Sequence, residues 1–303
     1  MGKTLNKSGW RRLYPFDSHF LDIEGMKYHY LDEGSGEPVI MVHGNPTWSF
    51  YYRELVKALS PDYRTIAPDH IGCGLSDKPG INEYDYRMKS RVQDLEALVG
   101  HLDLQKKITL VLQDWGGMIG MALAVQYPEK IGRIVILNSA AFFPPSGKRL
   151  PFRIWFARNV KPVSIPAILG FNLFSLCALY MASFKGLHKD VKIGLSAPYN
   201  TWKNRIATLK FVQDIPVKPA DPSFMSVKHV DENLQLLKHV PMLICWGKHD
   251  FVFDMDYLAE WRRRFPDAKV HLFENAGHYL LEDEPSPIID FVKNFLKTHA
   301  LSK

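Results

Sequence analysis

The chain has 303 residues, 46% of them hydrophobic, enough to bury a sizeable core in one large α/β domain with an insertion or in two modest domains. Its three cysteines, Cys73, Cys177 and Cys245, fit neither a metal-ligand spacing nor an even disulfide set, so no metal and no other cofactor is expected, and a reducing cytoplasm is the expected compartment. The formal net charge is +6 with a pI near 9.0, but eleven Lys or Arg against two acidic residues fall between Pro144 and Asp214, leaving the remainder of the chain at net −3; no nucleic-acid motif accompanies that excess, and the Arg262-Arg263-Arg264 run reads as a solvated helix face.

The first residues, Met1 to Ser8, carry basic side chains without an apolar run after them, so no secretory leader is expected. Asn6 stands where a myristoylation signal needs Ser or Thr. Residues 16–33 alternate as a hairpin with Gly25 at its turn. Residues 37–43 form an apolar strand that runs into His43-Gly44-Asn45-Pro46. Such a loop sets backbone N–H groups and the Asn45 amide at the carboxyl edge of a sheet, where open α/β sheets bind ligands. A helix over 51–59 and a strand over 63–68 follow. The next loop, Asp69 to Pro79, contains Gly72 and Gly74 but completes no dinucleotide fingerprint. Residues 90–102 read as an amphipathic helix, with Ser90 and Gln93 spaced for a capping box.

Residues 108–120 then read Ile-Thr-Leu-Val-Leu-Gln-Asp-Trp-Gly-Gly-Met-Ile-Gly: a buried strand, a sharp turn and a helix over 118–127. This turn holds Asp114 up at the strand's carboxyl end, where an α/β-hydrolase carries its nucleophile, usually Ser. A carboxylate there suits attack on an alkyl carbon bearing a leaving group, whereas an activated Ser suits acyl transfer. Taken alone, Asp114 is equally well explained as a helix cap. Another buried strand covers 131–138, and the alternation of strands with helices argues for a mostly parallel sheet with helices on both faces. The rhythm breaks at Phe142-Phe143-Pro144-Pro145. Residues 144–214 are helical, aromatic and basic and read as an inserted helical cap, with 1–143 and 215–303 as the core. Within the cap, 165–184 runs without a charge, the length of a membrane span, yet it contains Pro166, Gly170 and Asn172. Cap helices lining an apolar pocket are the main reading; peripheral membrane contact, with no transmembrane span, is the second. The sheet resumes over 241–247 and delivers Asp250; a helix over 255–265, a strand over 268–273, a loop ending in His278 and a helix over 287–299 close the chain.

Asp114, Asp250 and His278 each follow a strand's carboxyl end in the order nucleophile, acid, histidine, which is the hydrolase order. The histidine activates water against a covalent ester, and a carboxylate fixes its tautomer and stabilises the imidazolium. The amide of Asn45 and the indole N–H of Trp115 are candidate donors for a departing anion.

His43-Gly44-Asn45-Pro46-Thr47-Trp48, Asp69 to Pro79, Gln113-Asp114-Trp115-Gly116-Gly117 and Gly277-His278 together resemble the haloalkane dehalogenase branch of the α/β-hydrolases. The resemblance implies that Asp114 is the nucleophile and that Asn45 and Trp115 hold the leaving halide. One subgroup of that branch takes its acid, a Glu, from the end of the strand after the nucleophile's; here that place reads Asn138-Ser139-Ala140, which leaves Asp250 as the acid. The cap text over 202–209 and 211–216 and the acid loop His249 to Asp254 resemble the β-lactone decarboxylases of bacterial long-chain olefin biosynthesis. That resemblance implies opening of a cis-dialkyl β-lactone with loss of carbon dioxide to leave an alkene, on a very apolar substrate and beside other enzymes of the olefin pathway. Haloalkane dehalogenase is the alternative. An epoxide hydrolase is the third reading and needs cap tyrosines as acids, for which Tyr180 and Tyr199 are the candidates.

Overall fold

The computed structural model describes residues 8–145 and 147–301. Residues 1–7, with the expected absence of a leader and of lipidation, lie outside the described residues. Eight strands form one sheet: β1 His19–Ile23, β2 Met26–Glu33, β3 Pro38–Val42, β4 Arg64–Pro68, β5 Ile108–Asp114, β6 Ile131–Ser139, β7 Met242–Gly247 and β8 Lys269–Phe273. Their order is β1-β2-β4-β3-β5-β6-β7-β8. The expected hairpin, β1 and β2, pairs antiparallel and meets β4 antiparallel; from β4 onward all pairs are parallel.

The central strands are apolar runs because both faces of the sheet are covered. Alternate side chains go to opposite cores: Ile40 and Val42, Leu110 and Leu112, and Ile134 and Ile136 enter one, while Val39 and Met41, Val111, and Val135 and Leu137 enter the other. The chain leaves β3 toward β4 and then returns past it to β5, so the strand order reverses at β3 and β5. A crevice opens at their carboxyl ends, as it does wherever an open α/β sheet changes direction. The loops carrying Asn45 and Asp114 leave the sheet there.

Several expected boundaries move. The helix after β5 begins at Trp115, three residues early, and runs to Gln126. The segment after β3 enters as a short 3-10 turn, Ser49–Tyr52, before the α-helix Arg53–Leu59. The capping box at Ser90 does not form. That helix starts at Met88, and the N–H of Met88 donates instead to Asp214 Oδ2 at 2.8 Å. Asp214 also takes Arg87 Nη1 at 3.0 Å and the Ser223 hydroxyl at 2.7 Å. A carboxylate from the far end of the insertion thus satisfies an orphan N–H at the helix start, since the helix Ile206–Gln213 ends at Asp214. The arginine run is only partly solvated: Arg264 is held by Glu260 and Asp231 and lies over Phe142. The Asp69–Pro79 loop is a structural knot and not a phosphate cradle, since the buried Asp69 carboxylate accepts the N–H of Ser49 and of Leu75 and pairs with His29 at 2.8 Å.

Between β6 and β7 the described residues contain helices and turns but no strand. The uncharged stretch 165–184 is broken. Its two arms, Lys161–Gly170 and Leu173–Met181, meet at 76°, with Asn172 left-handed at the corner (φ 54°). Among the described residues no single helix is long and apolar enough to cross a membrane.

Replacing Asp214 removes the cap, the Arg87 pair and the Ser223 contact together. Asp214→Ala is expected to lower stability in denaturant unfolding by about 2 kcal/mol, whereas Ser90→Ala should change it by less than about 0.5 kcal/mol. Equal losses from the two variants would return the capping role to Ser90.

Candidate active site

The turn after β5 explains why Asp114 faces outward. Its backbone is left-handed (φ 51°, ψ −127°), a conformation that costs a non-glycine residue about 1–3 kcal/mol. The side chain makes no cap hydrogen bond to its helix. It points instead toward the loop after β3, where Asp114 Oδ1 accepts the N–H of Asn45 at 2.7 Å, and of its own helix only the first N–H, that of Trp115, lies near enough to favour the charged carboxylate. Glycines make the approach possible: a Cβ at Gly44 would sit 2.1 Å from Asp114 Oδ1, and one at Gly116 would sit 1.9 Å from the carbonyl oxygen of Val42. Burial raises the Asp114 pKa above the ordinary carboxylate value, opposed by His278 and by the two N–H donors.

Loops after β7 and β8 bring in Asp250 and His278. His278 Nδ1 lies 2.8 Å from Asp250 Oδ2, and His278 Nε2 lies 3.5 Å from Asp114 Oδ2. The first contact assigns the Nδ1–H tautomer, which makes Nε2 the ring nitrogen without a proton and the one nearer Asp114. Burial disfavours the imidazolium, but the Asp250 charge and hydrogen bond, with Asp114 behind them, outweigh it and raise the His278 pKa above 6.5. Asp250 is no helix cap, since that position belongs to Asp254, which accepts the N–H of Asp256. Asp250 Oδ1 accepts the N–H of Val252 at 2.7 Å and of Phe253 at 3.0 Å. Thus the structure gathers the three groups that sequence order had only suggested.

Two positioning residues escaped the sequence reading. Asn138, left-handed at φ 42°, donates Nδ2 to Asp250 Oδ2 at 2.8 Å and accepts the N–H of Gly247 at 2.7 Å. The place where a dehalogenase subgroup carries its Glu therefore holds the amide that fixes the acid from β7. Gln113, buried, donates Nε2 to His278 Nε2 at 3.1 Å. The signal for both was present, an amide side chain at the end of an apolar strand, but which side chain it would meet depends on strand order.

Asn45, Asp114, Trp115 and His278 line one cavity of about 690 Å³, whose other walls are mostly apolar; its size suits a small-molecule site. The Asn45 amide donates one hydrogen to the carbonyl of Thr208 at 3.1 Å, so the cap itself sets the orientation of this amide. The Trp115 ring packs on Phe211 of the helix Ile206–Gln213, with centroids 5.4 Å apart. Tyr180 and Tyr199 do not reach the cavity: Tyr180 is 71% exposed, and the buried Tyr199 hydroxyl donates to the carbonyl of Thr47 at 3.0 Å. Among the described residues no cluster of His, Cys, Asp and Glu is arranged to hold a metal ion.

The profile of the alpha/beta hydrolase fold matches residues 37–285. The chain belongs to the α/β-hydrolases. This α/β-hydrolase is 50% identical over 285 residues to a cis-3-alkyl-4-alkyloxetan-2-one decarboxylase of Shewanella oneidensis, covering 94% of the chain and 89% of the relative. It is 41% identical over 296 residues to the protein of that name in Xanthomonas campestris pv. campestris, covering 95% and 98%. Haloalkane dehalogenase 2 of Mycobacterium bovis is more distant, at 31% over 278 residues, covering 91% and 94%. The crystal structure of haloalkane dehalogenase DatA from Agrobacterium tumefaciens shares the fold of this α/β-hydrolase, with a TM-score of 0.83 over 94% of this chain and 97% of that one at 23% identity.

The carboxylates around His278 set its titration. In an NMR titration its imidazole is expected to titrate above its ordinary value of about 6.5, and in Asp250→Asn the midpoint should fall. An unchanged or higher midpoint would remove Asp250 as the source of the shift.

Proposed function

We propose that this α/β-hydrolase is a β-lactone decarboxylase that converts a cis-3-alkyl-4-alkyloxetan-2-one to an alkene and carbon dioxide. The reading is carried by the 50% and 41% identities to decarboxylases of that name across nearly the whole chain. It is supported by a mostly apolar cavity that ends on a carboxylate, which suits a reactive ring with two alkyl arms.

Asp114 Oδ2, the oxygen not held by the Asn45 N–H, attacks the ring carbon that bears the ring oxygen. The carbon–oxygen bond breaks, and its electron pair leaves on the lactone carboxylate, which the Asn45 amide and the Trp115 indole N–H receive. Attack from the rear sets the new ester oxygen anti to the bond holding that carboxylate. The electrons of that bond form the carbon–carbon double bond as carbon dioxide departs, and Asp114 leaves as a carboxylate. Lactone equals alkene plus carbon dioxide, so the cycle balances without water. His278, 3.5 Å from Asp114 and paired with Asp250, stabilises the departing Asp114 charge in its imidazolium form, which its raised pKa favours. An alkene product places the reaction in olefin biosynthesis, and the three unpaired thiols Cys73, Cys177 and Cys245 favour the cytoplasm.

The second reading is haloalkane dehalogenase. It is favoured by the position of His278 Nε2, 3.5 Å from Asp114, where an unprotonated ring nitrogen can direct water at an alkyl ester. The epoxide hydrolase reading loses both of its candidate acids, Tyr180 and Tyr199, to other surroundings.

Offered a synthetic cis-β-lactone and, separately, a bromoalkane, the purified protein is expected to release alkene from the first much faster than bromide from the second. Bromide without alkene would replace the leading reading with the second. Asp114→Asn should lower either turnover by roughly 10³-fold or more. If bromoalkane is turned over, His278→Gln should trap an alkyl ester on Asp114 visible by intact mass, and an unmodified protein would strip His278 of the water-activating role.

A further inference from the structure

The helix Leu173–Met181 buries only Ser175 and Leu179 and leaves most of its apolar side chains outward or half-buried. Leu173, Leu176 and Tyr180 are 50%, 42% and 71% exposed and Cys177 is exposed beside them. These four stand at i, i+3, i+4 and i+7, one continuous outward stripe. Phe171, at the 76° corner before the helix, is 77% exposed, and Phe152, on the neighbouring helix Phe152–Asn159, is 74% exposed. Arg153 joins the two helices through its contact to the Met181 sulfur at 3.5 Å. Isolated exposed apolar residues are ordinary, but a contiguous aromatic and aliphatic face of this kind marks a surface with a partner.

The same face is where the cavity opens. Phe152, Leu173 and Cys177 line the cavity and are exposed as well, so the apolar rim continues into the apolar interior. The inserted segment that carries this face is rich in bases, three of them already paired with core carboxylates: Lys148 with Asp254 and Asp256, Arg158 with Asp221 and Lys185 with Glu284. Arg149, Arg153, Lys161, Lys189 and Lys203 are exposed, and Lys192 Nζ sits 4.2 Å from the Tyr180 ring centroid. The two acidic residues of this segment are already engaged: Asp214 is buried as a helix cap, and Asp190 lies beside Arg12 and His188. Exposed apolar and aromatic side chains on a segment that also exposes these lysines and arginines form a surface complementary to the acyl boundary and anionic headgroups of a membrane.

We infer that the cap face around the cavity mouth docks on an anionic phospholipid bilayer, so that the apolar substrate passes between the acyl phase and the cavity without crossing water. The inference rests on the apolar cavity and its rim, not on which bond Asp114 breaks. Its test is therefore binding. Full-length protein is floated with vesicles of phosphatidylcholine alone and of phosphatidylcholine with phosphatidylglycerol, at about 0.1 M and 0.5 M salt. The expected result is binding to the anionic vesicles about tenfold or more above the neutral ones, weakened by salt. The triple variant Phe171→Ser, Leu176→Ser, Tyr180→Ser, none of whose positions lines the cavity, should lose the vesicle binding and keep the wild-type circular dichroism and melting temperature. Lys161→Glu with Lys189→Glu should lose the preference for anionic vesicles. Binding equal on the two lipids, binding unaffected by the triple variant, or no vesicle binding with a self-association that the triple variant abolishes would each overturn the inference, the last by making the face a contact between copies of the chain. Failure of decarboxylation with vesicle binding intact would strike only the reaction assignment.

Discussion

The hydrogen bond from the Asn45 N–H to Asp114 Oδ1, at 2.7 Å, ties together the two loops on which the site is built. Without it the carboxylate would do what Asp does at most helix starts and accept an N–H of its own helix. The left-handed turn at Asp114 aims the side chain away from that helix, and the absence of a side chain at Gly44 lets the two loops close. Backbone strain is thereby exchanged for a carboxylate held at a sheet edge with one oxygen bound and the other exposed to the cavity.

Around that contact the charges are graded. Asp250 is the most secured of the three groups, receiving Asn138, two backbone N–H groups and His278. Asp114 is buried with fewer donors, so its pKa rises, while His278 is drawn toward its protonated form by both carboxylates. A buried anion beside a buried cation-in-waiting can shift charge between ester formation and ester release at little reorganisation, provided water is kept out. The inserted segment shapes the same site, since Thr208 orients the Asn45 amide and Phe211 packs on the Trp115 ring.

The core elements were legible because two-faced burial writes itself into sequence as continuous apolar strands, and the hairpin at Gly25 because alternation and a turn glycine coincide. The order Asp114, Asp250, His278 was legible because each residue lies at or just after a strand's carboxyl end. The capping of Met88 by Asp214 was not, since that carboxylate lies 126 positions away and its contact lets the helix start ahead of the local signal at Ser90. Asn138 and Gln113 were visible as amides in apolar text, but their partners lie on strands and loops adjacent only in space. The break in the uncharged stretch 165–184 had its hint in Asn172, whose tolerance of left-handed backbone makes the corner.

Sequence by itself determined the layered α/β architecture, the turn that raises a carboxylate in place of a hydroxyl, and the residue types that attend it, because local periodicity and turn chemistry act over a few residues. Tertiary structure alone decided that Asp114 faces the cavity and does not cap its helix, that Asp250 is clamped by Asn138, and that the cap turns an apolar face outward around the cavity mouth. Those outcomes depend on distances between segments far apart in the chain, which strand order and packing set and no local pattern encodes.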